Sequence, residues 1–149
     1  MAAIAVTAFV YGQALVHITD ADVDWTVDTI TVALTDSTEV PDQDVDDFWD
    51  DAEANEITGT GYTAGGAPIA SPTRTYTGGT NTLSLDAADT EWTSASFTAR
   101  NAHVYKDRGG ATSLDELISY VLFGGDETVS SGTFRIQWHA DGVVKIVAS

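Results

Sequence analysis

Cysteine is absent from this sequence of 149 residues, which excludes a disulfide framework, a thiolate zinc site and a cysteine nucleophile. Basic side chains are scarce, with six lysines and arginines against 23 aspartates and glutamates and a net charge of −17. Binding to nucleic acid or anionic lipid depends on cationic groups, so we expect neither partner. No hydrophobic run approaches the length of a membrane span, and the apolar amino end lacks a basic segment. We therefore expect this end to form a strand, with no membrane association and no signal peptide.

The sequence does contain enough apolar material for one folded unit. Hydrophobic residues make up 43% of the chain, which argues against disorder in spite of the charge. We expect a single domain over residues 1–149. Most of the acidic residues are aspartates, and threonine is also abundant. This combination is typical of proteins from salt-loving organisms, in which salt screens the repulsion between the carboxylates of the surface. The alternative origin is a high-GC bacterium or its phage.

Alternation of apolar and polar residues with a period of two dominates the chain and predicts β-strands. Seven to eight short segments rich in threonine and valine are candidate strands, among them residues 4–11, 29–34, 73–77, 82–85, 96–105, 116–124 and two runs within 133–148. The pattern predicts an all-β fold, an antiparallel β-sandwich of jelly-roll or immunoglobulin-like type, and it does not separate these two types.

Two hairpins are predicted from turn chemistry. Residues 73–77 and 82–85 flank a Gly-Gly-Thr-Asn segment of the kind that closes a hairpin. Near the carboxyl end, Asp141-Gly142 lies between two alternating runs. A two-residue Asp-Gly loop needs positive φ at both positions, which these residue types tolerate, so we expect a tight hairpin here.

The strongest helix candidate is the acidic segment PDQDVDDFWDDAE, residues 41–53. Pro41 suits a first helical turn, and the carboxylates that follow favour the positive end of the helix dipole. Phe48, Trp49 and Ala52 are spaced to face the core from one side. We therefore expect one short acidic helix near residues 41–54.

The same segment resembles a calcium loop in the spacing of its acids. Ligand positions of an EF-hand loop are matched by Asp42, Asp44, Asp46, Asp50 and Glu53. The motif needs a glycine at its sharp turn, where this chain has Asp47, and it needs two flanking amphipathic helices that this sequence does not predict. We predict no EF-hand and assign no metal ligand, while a looser structural calcium or sodium site stays open.

The sequence contains no recognisable catalytic motif. The glycines of residues 59–68 neither open a helix nor precede the Gly-Lys-Thr/Ser of a phosphate loop, so they predict flexibility or the close approach of another chain. His17, His103 and His139 lie in different predicted strands, His139 on an exposed face, and no G-x-S-x-G nucleophile elbow occurs. We expect no enzyme activity and assign no catalytic or cofactor-binding residue.

The four tryptophans are candidates for stacking on a sugar ring. Trp49 and Trp138 lie on predicted core faces, which favours packing for both. Trp92 is the best candidate for an exposed or interfacial aromatic, although core packing is favoured for it as well.

Four segments together resemble a widespread family of small virion proteins from tailed phages. They are VALTDSTEVPDQDVDDFWDD, NEITGTGYTAGGAPIAS, NTLSLDAADTEWTSASFTARNAHVYKD and WHADGVVKIV, which span roughly residues 28–147. The most specific parts are Asn55-Glu56 leading into Gly59, Gly61, Tyr62 and Gly66, and the block DAAD–W–ARNAHVY. The resemblance implies a structural protein of the virion, with capsid decoration, head-fibre or tail roles.

On this basis we expect a capsid decoration or turret component, and the extreme acidity points to a tailed virus of a haloarchaeon. The expected partners are the major capsid protein or neighbouring virion proteins. A homotrimer suits the local threefold positions of a capsid. The apolar segment 1–12 is a candidate for pairing with a neighbour by edge addition. The alternative is a tail-associated module that binds a receptor or glycan.

Overall fold

The computed structural model describes residues 1–149 and is mostly β-structure. Its nine strands are β1 (Ile4–Val6), β2 (Phe9–Val10), β3 (Ile30–Thr35), β4 (Ala67–Pro68), β5 (Thr73–Thr77), β6 (Thr82–Asp86), β7 (Thr90–Lys106), β8 (Leu117–Trp138) and β9 (Val144–Val147). One α-helix, α1, spans Gly12–Thr19, and short 3-10 helices span Trp49–Asp51, Glu53–Asn55 and Thr112–Leu114. None of the helices has the length and apolar character that a bilayer crossing requires.

The strands form two sheets. The larger has six strands in the order β1-β8-β7-β3-β4, with β2 beside another part of β8, and the smaller has the order β5-β6-β9. Every pairing is antiparallel except that of β1 with β8, in which Ile4 lies opposite Ile136 and Val6 opposite Trp138. The larger sheet is therefore mixed, whereas the sequence pattern predicted antiparallel pairing throughout.

The β7–β8 hairpin is the centre of the larger sheet. Its strands have 17 and 22 residues, and the register between them shifts at several β-bulges. Ser94 and Ser131 adopt positive φ at two of these irregularities. Phe97 and Val129 are buried on the inner face of the hairpin, while Thr98 is exposed on the outer face. Because bulges bend a strand, such long strands can curve around the core.

The two sheets share one hydrophobic core. Leu85 of β6 and Val144 of β9 are buried together with Ile30 and Val32 of β3. A second cluster lies on the other side of the larger sheet and includes Ala33 of the same strand. Both faces of β3 are therefore covered, so this strand is buried along its whole length although its sequence alternates.

The amino-terminal segment contains a helix where the alternating pattern predicted only a strand. Strand β2 ends at Val10, and the N–H of Gly12 donates to the carbonyl of Gln43 at 2.9 Å as α1 begins. Ala14 is buried, and Ile18, one turn later, packs partly against the core. Ala14 belongs to the second cluster and Ile18 packs against the shared core, so α1 contacts both clusters.

The acidic helix expected near residues 41–54 is wrong. Turns occupy the first part of this segment, and two single-turn 3-10 helices follow. The Asp46 carboxylate accepts the N–H of Asp42 at 2.7 Å, and local bonds of this kind compete with helix formation. Trp49 and Ala52 are buried as predicted, whereas Phe48 is only partly buried.

Of the two expected hairpins, one is confirmed and the other is wrong. Strands β5 and β6 pair across the Gly-Gly-Thr-Asn loop. In contrast, β9 pairs with β6 and not with β8, so the turn at Asp141-Gly142 carries the chain from one sheet to the other. Its hydrogen bond joins the N–H of Gly142 to the carbonyl of His139 at 2.8 Å, and only Gly142 has positive φ. The N–H of Val143 then bonds to Leu85, which draws the chain into the smaller sheet.

Candidate functional site

Five polar side chains from distant segments form a buried network. His103 of β7 is fully buried, and its Nδ1 lies 2.8 Å from the hydroxyl of Tyr11. Its Nε2 lies 3.1 Å from both Oε2 of Glu39 and Oγ1 of Thr35. Asn101 donates to the same Glu39 oxygen at 3.0 Å. The network therefore ties the loop after β3 to β7 and to the residue before α1.

The chemistry of this network favours stability over reaction. A carboxylate only accepts hydrogen bonds, so the proton between His103 and Glu39 is donated by Nε2. Burial raises the pKa of Tyr11, and the nearby Glu39 carboxylate raises it further, so the phenol stays neutral. No local pattern predicted these contacts, because Tyr11 and Glu39 are 92 and 64 residues from His103 along the chain.

Glu56 fixes the start of the glycine-rich segment 59–68. Its Oε1 accepts the hydroxyl of Tyr62 and the N–H of Gly65, both at 2.7 Å. The oxygen of Tyr62 in turn accepts the N–H of Leu34 in β3 at 2.9 Å. Glu56 and Tyr62 belong to the segment that carries the family resemblance, and in this chain they make internal contacts.

Glycines let the same segment lie directly on neighbouring strands. Gly66 has a φ of 85°, and a Cβ at this position would collide with the carbonyl of Val32. Gly61 has a φ of 80°, and a Cβ there would lie 2.9 Å from the carbonyl oxygen of Thr93. The close backbone approach expected for another chain is thus made by the protein's own strands.

Three carboxylates of residues 42–51, those of Asp42, Asp46 and Asp51, accept backbone N–H groups of their own turns. Asp42 accepts the N–H of Asp44 at 3.1 Å, and Asp51 accepts the N–H of Asp47 at 3.0 Å. Carboxylates that accept hydrogen bonds in this way hold the turns of their own segment.

The other two histidines differ in exposure, since His17 is mostly buried and His139 is exposed. His17 is in α1 and not in a strand, and its Nδ1 lies 3.7 Å from a carboxylate oxygen of Asp22. Glu116 is close to both, so that one ligand atom from each of the three lies within 4.8 Å of the others. His139 is exposed just after β8, as predicted, with its Nδ1 3.4 Å from Asp141.

All four tryptophans are buried, which confirms core packing for Trp49, Trp92 and Trp138. The ring of Trp92 packs edge-on against Phe134 at a centroid distance of 5.9 Å. The indole N–H of Trp25 donates to the carbonyl of Asp86 at 3.0 Å. The tryptophan platform suggested for sugar binding is therefore part of the core.

Exposed apolar side chains lie beside β2, and together with the buried Tyr120 under the Phe9 ring we name them the Phe9 patch: Phe9, Val40, Leu122 and Tyr120. The Phe9 ring, 46% exposed, stacks on Tyr120 at 5.4 Å. Leu122 lies two residues further along β8 on the same face and is 50% exposed. Val40, which is 80% exposed, lines a shallow cleft together with Leu122.

An unpaired strand edge continues from the Phe9 patch. Strand β2 covers β8 at Ser119 and Tyr120, and β1 covers it at residues 136–138. Between these contacts, β8 is paired only with β7. Unpaired backbone groups on such an edge can accept a strand from another chain.

No protein-family model matches the chain, and neither a curated protein nor a solved structure matches it.

Proposed function

We propose that this chain is a structural protein of a tailed-virus particle, most simply a capsid decoration or turret component. It would act by binding the major capsid protein or neighbouring virion proteins and by forming a homotrimer. The observation that carries the proposal is the Phe9 patch beside an open strand edge, on a chain whose net charge is −17. Apolar surface of this kind is suited to burial between subunits.

The polar motifs support a binding role without a reaction. Glu56 is hydrogen-bonded to the glycine-rich segment, and Glu39 and His103 are hydrogen-bonded to each other within a buried network. Satisfied buried networks make a domain rigid, and a rigid block suits display in many copies. The resemblance to small virion proteins points in the same direction.

The finer description of the fold belongs to the same proposal. Two sheets that share one core suit a β-sandwich of jelly-roll or immunoglobulin-like type. The mixed pairing at β1 distinguishes this chain from a purely antiparallel sandwich.

The oligomer is tested by light scattering coupled to size exclusion in molar salt. We expect a trimer for the native protein and a shift towards monomer for Phe9→Ser and for Leu122→Ser, because each removes apolar area from the interface. Tyr76→Ser is the matched control, since Tyr76 is 59% exposed but lies on β5 of the smaller sheet. Masses for both patch variants equal to that of the native protein would contradict the assignment of the interface.

A tail-associated module that binds a receptor or glycan remains the second proposal. It has less support, because the tryptophans are buried and the exposed aromatics are limited to Phe9 and Tyr76. A glycan array, with and without a chelator, tests it directly. Specific binding to one glycan class would favour this alternative over capsid decoration.

A further inference from the structure

We propose that His17, Asp22 and Glu116 form a binding site for a divalent transition-metal ion such as Zn²⁺. The three residues come from α1, from the loop after it and from the position before β8. One ligand atom of each lies within 4.8 Å of the others. An ion at this place would join α1 to the start of β8.

The second observation is that neither ring nitrogen of His17 makes a hydrogen bond. The side chain is only 14% exposed, its Nε2 is buried without a partner, and its Nδ1 is 3.7 Å from Asp22, beyond hydrogen-bond distance. Buried polar atoms are normally paired. Because a neutral imidazole nitrogen is a common metal ligand, the ring nitrogen of His17 that faces Asp22 and Glu116 is free to bind an ion.

The donor set selects the class of ion. One imidazole and two carboxylates suit Zn²⁺, Co²⁺ or Mn²⁺, whereas Ca²⁺ and Mg²⁺ prefer oxygen ligands alone. The residues line a cleft of about 270 Å³ that opens to solvent, so water can complete the coordination shell. This site differs in place and in chemistry from the calcium spacing of residues 42–53.

Arg108 is the internal competitor for this ion. Its guanidinium pairs with the carboxylate of Glu116, whose side chain is only 5% exposed, and thereby supplies the positive charge that a buried carboxylate requires. The Arg108 side chain is itself 38% exposed and can turn towards solvent. A divalent ion would take over its role, so metal and guanidinium oppose each other at Glu116.

The test uses Co²⁺ as a spectroscopic probe on the full chain, freed of metal and kept in molar KCl, which screens non-specific attraction to the acidic surface. We expect one saturable site with visible absorption that Zn²⁺ abolishes and Ca²⁺ leaves unchanged. His17→Ala should weaken Co²⁺ binding more than about tenfold, since even outer-shell changes cost about 10–100-fold. Arg108→Ala should tighten it, because the competing cation is gone.

His139→Ala is the matched control, because His139 is exposed beside a single aspartate. It should bind Co²⁺ as tightly as the native protein, and Zn²⁺ should raise the melting temperature of both but not that of His17→Ala. Asp22→Asn provides a second variant, and because Asp22 is 52% exposed we expect the fold to tolerate the change. The proposal is overturned if no saturable site exists, if His17→Ala and Asp22→Asn bind like the native protein, or if His139→Ala loses the ion.

Discussion

The carboxylate of Glu39 is buried beside the imidazole of His103, where removal of one partner leaves the other without compensation. We expect Glu39→Gln to lower the free energy of unfolding by about 1–3 kcal/mol, because the amide cannot accept all three hydrogen bonds that converge on Oε2. Denaturant unfolding measures the change. Glu127→Gln is the control, since Glu127 is only half-buried and makes no ion pair, and equal stability of the two variants would contradict a structural role of the network.

Asp115 is a second residue whose environment makes a measurable prediction. Burial raises its pKa above the usual 3.8, although its Oδ1 accepts the N–H of Arg108 at 2.9 Å. The folded state therefore holds the Asp115 proton more tightly than the unfolded state does, and stability falls as the pH rises from 3.8 through the folded pKa. Asp115→Asn removes this loss, so its stability relative to the native protein should be greater at pH 7 than at pH 3.5.

For Asp24 the pKa shift is in the opposite direction, so stability should depend on pH in the opposite way. The N–H and hydroxyl of Thr26 bond to its carboxylate and lower its pKa, so its contribution is present at neutral pH and is lost as the pH falls. Asp24→Asn should therefore reduce stability at pH 7 and make little difference in acid.

If the gain in stability of Asp115→Asn over the native protein is the same at pH 7 and at pH 3.5, the ionisation of Asp115 is not the cause of that gain.

At the scale of elements, the glycine-rich segment makes the clearest prediction. Gly66→Ala should lower the free energy of unfolding by at least about 2 kcal/mol, since a Cβ collides with β3 and the positive φ adds strain. Gly78→Ala is the matched control, because a Cβ at Gly78 meets nothing within 4 Å and its φ is not positive. Thermal unfolding of the two variants compares them, and similar losses would mean that the segment does not lie against β3.

Most of the longer strands, and one of the two hairpins, could be predicted from the sequence. Period-two alternation located β3, β5, β6 and the main parts of β7 and β8. Strands β6, β7 and β8 each have residues that pack against the core, whereas β5 is exposed along its length. Local turn chemistry also identified the β5–β6 hairpin correctly. It misplaced the partner of β9, because the Asp-Gly turn is compatible with either sheet and the choice depends on the long-range bond to Leu85.

Local sequence patterns did not predict the helical structure or the candidate sites correctly. The segment 41–53 has helix-favouring features at its start, but its aspartates bond to their own backbone and hold turns instead. The meeting of His17 with Glu116, and that of Tyr11 with His103, depends on segments about a hundred residues apart. Spacing along the chain carries no information on such contacts.

At the scale of the whole molecule, the net charge of −17 leads us to expect that the proposed trimer depends on salt. The Debye length is about 3 Å at 1 M salt and about 10 Å at 0.1 M, so repulsion between acidic subunits is far less screened in dilute buffer. We expect the trimer to weaken below molar salt, as followed by light scattering across a salt series. A trimer that is unchanged at low ionic strength would count against the high-salt origin.

The central claim, that this is a structural protein of the virion, is tested most directly by quantitative mass spectrometry of purified particles from a virus that carries this sequence. Capsid decoration predicts the chain in high copy number, comparable to that of the major capsid protein. Only a few copies per particle would contradict capsid decoration and favour the tail-associated alternative. Complete absence from the particles would contradict the virion role itself.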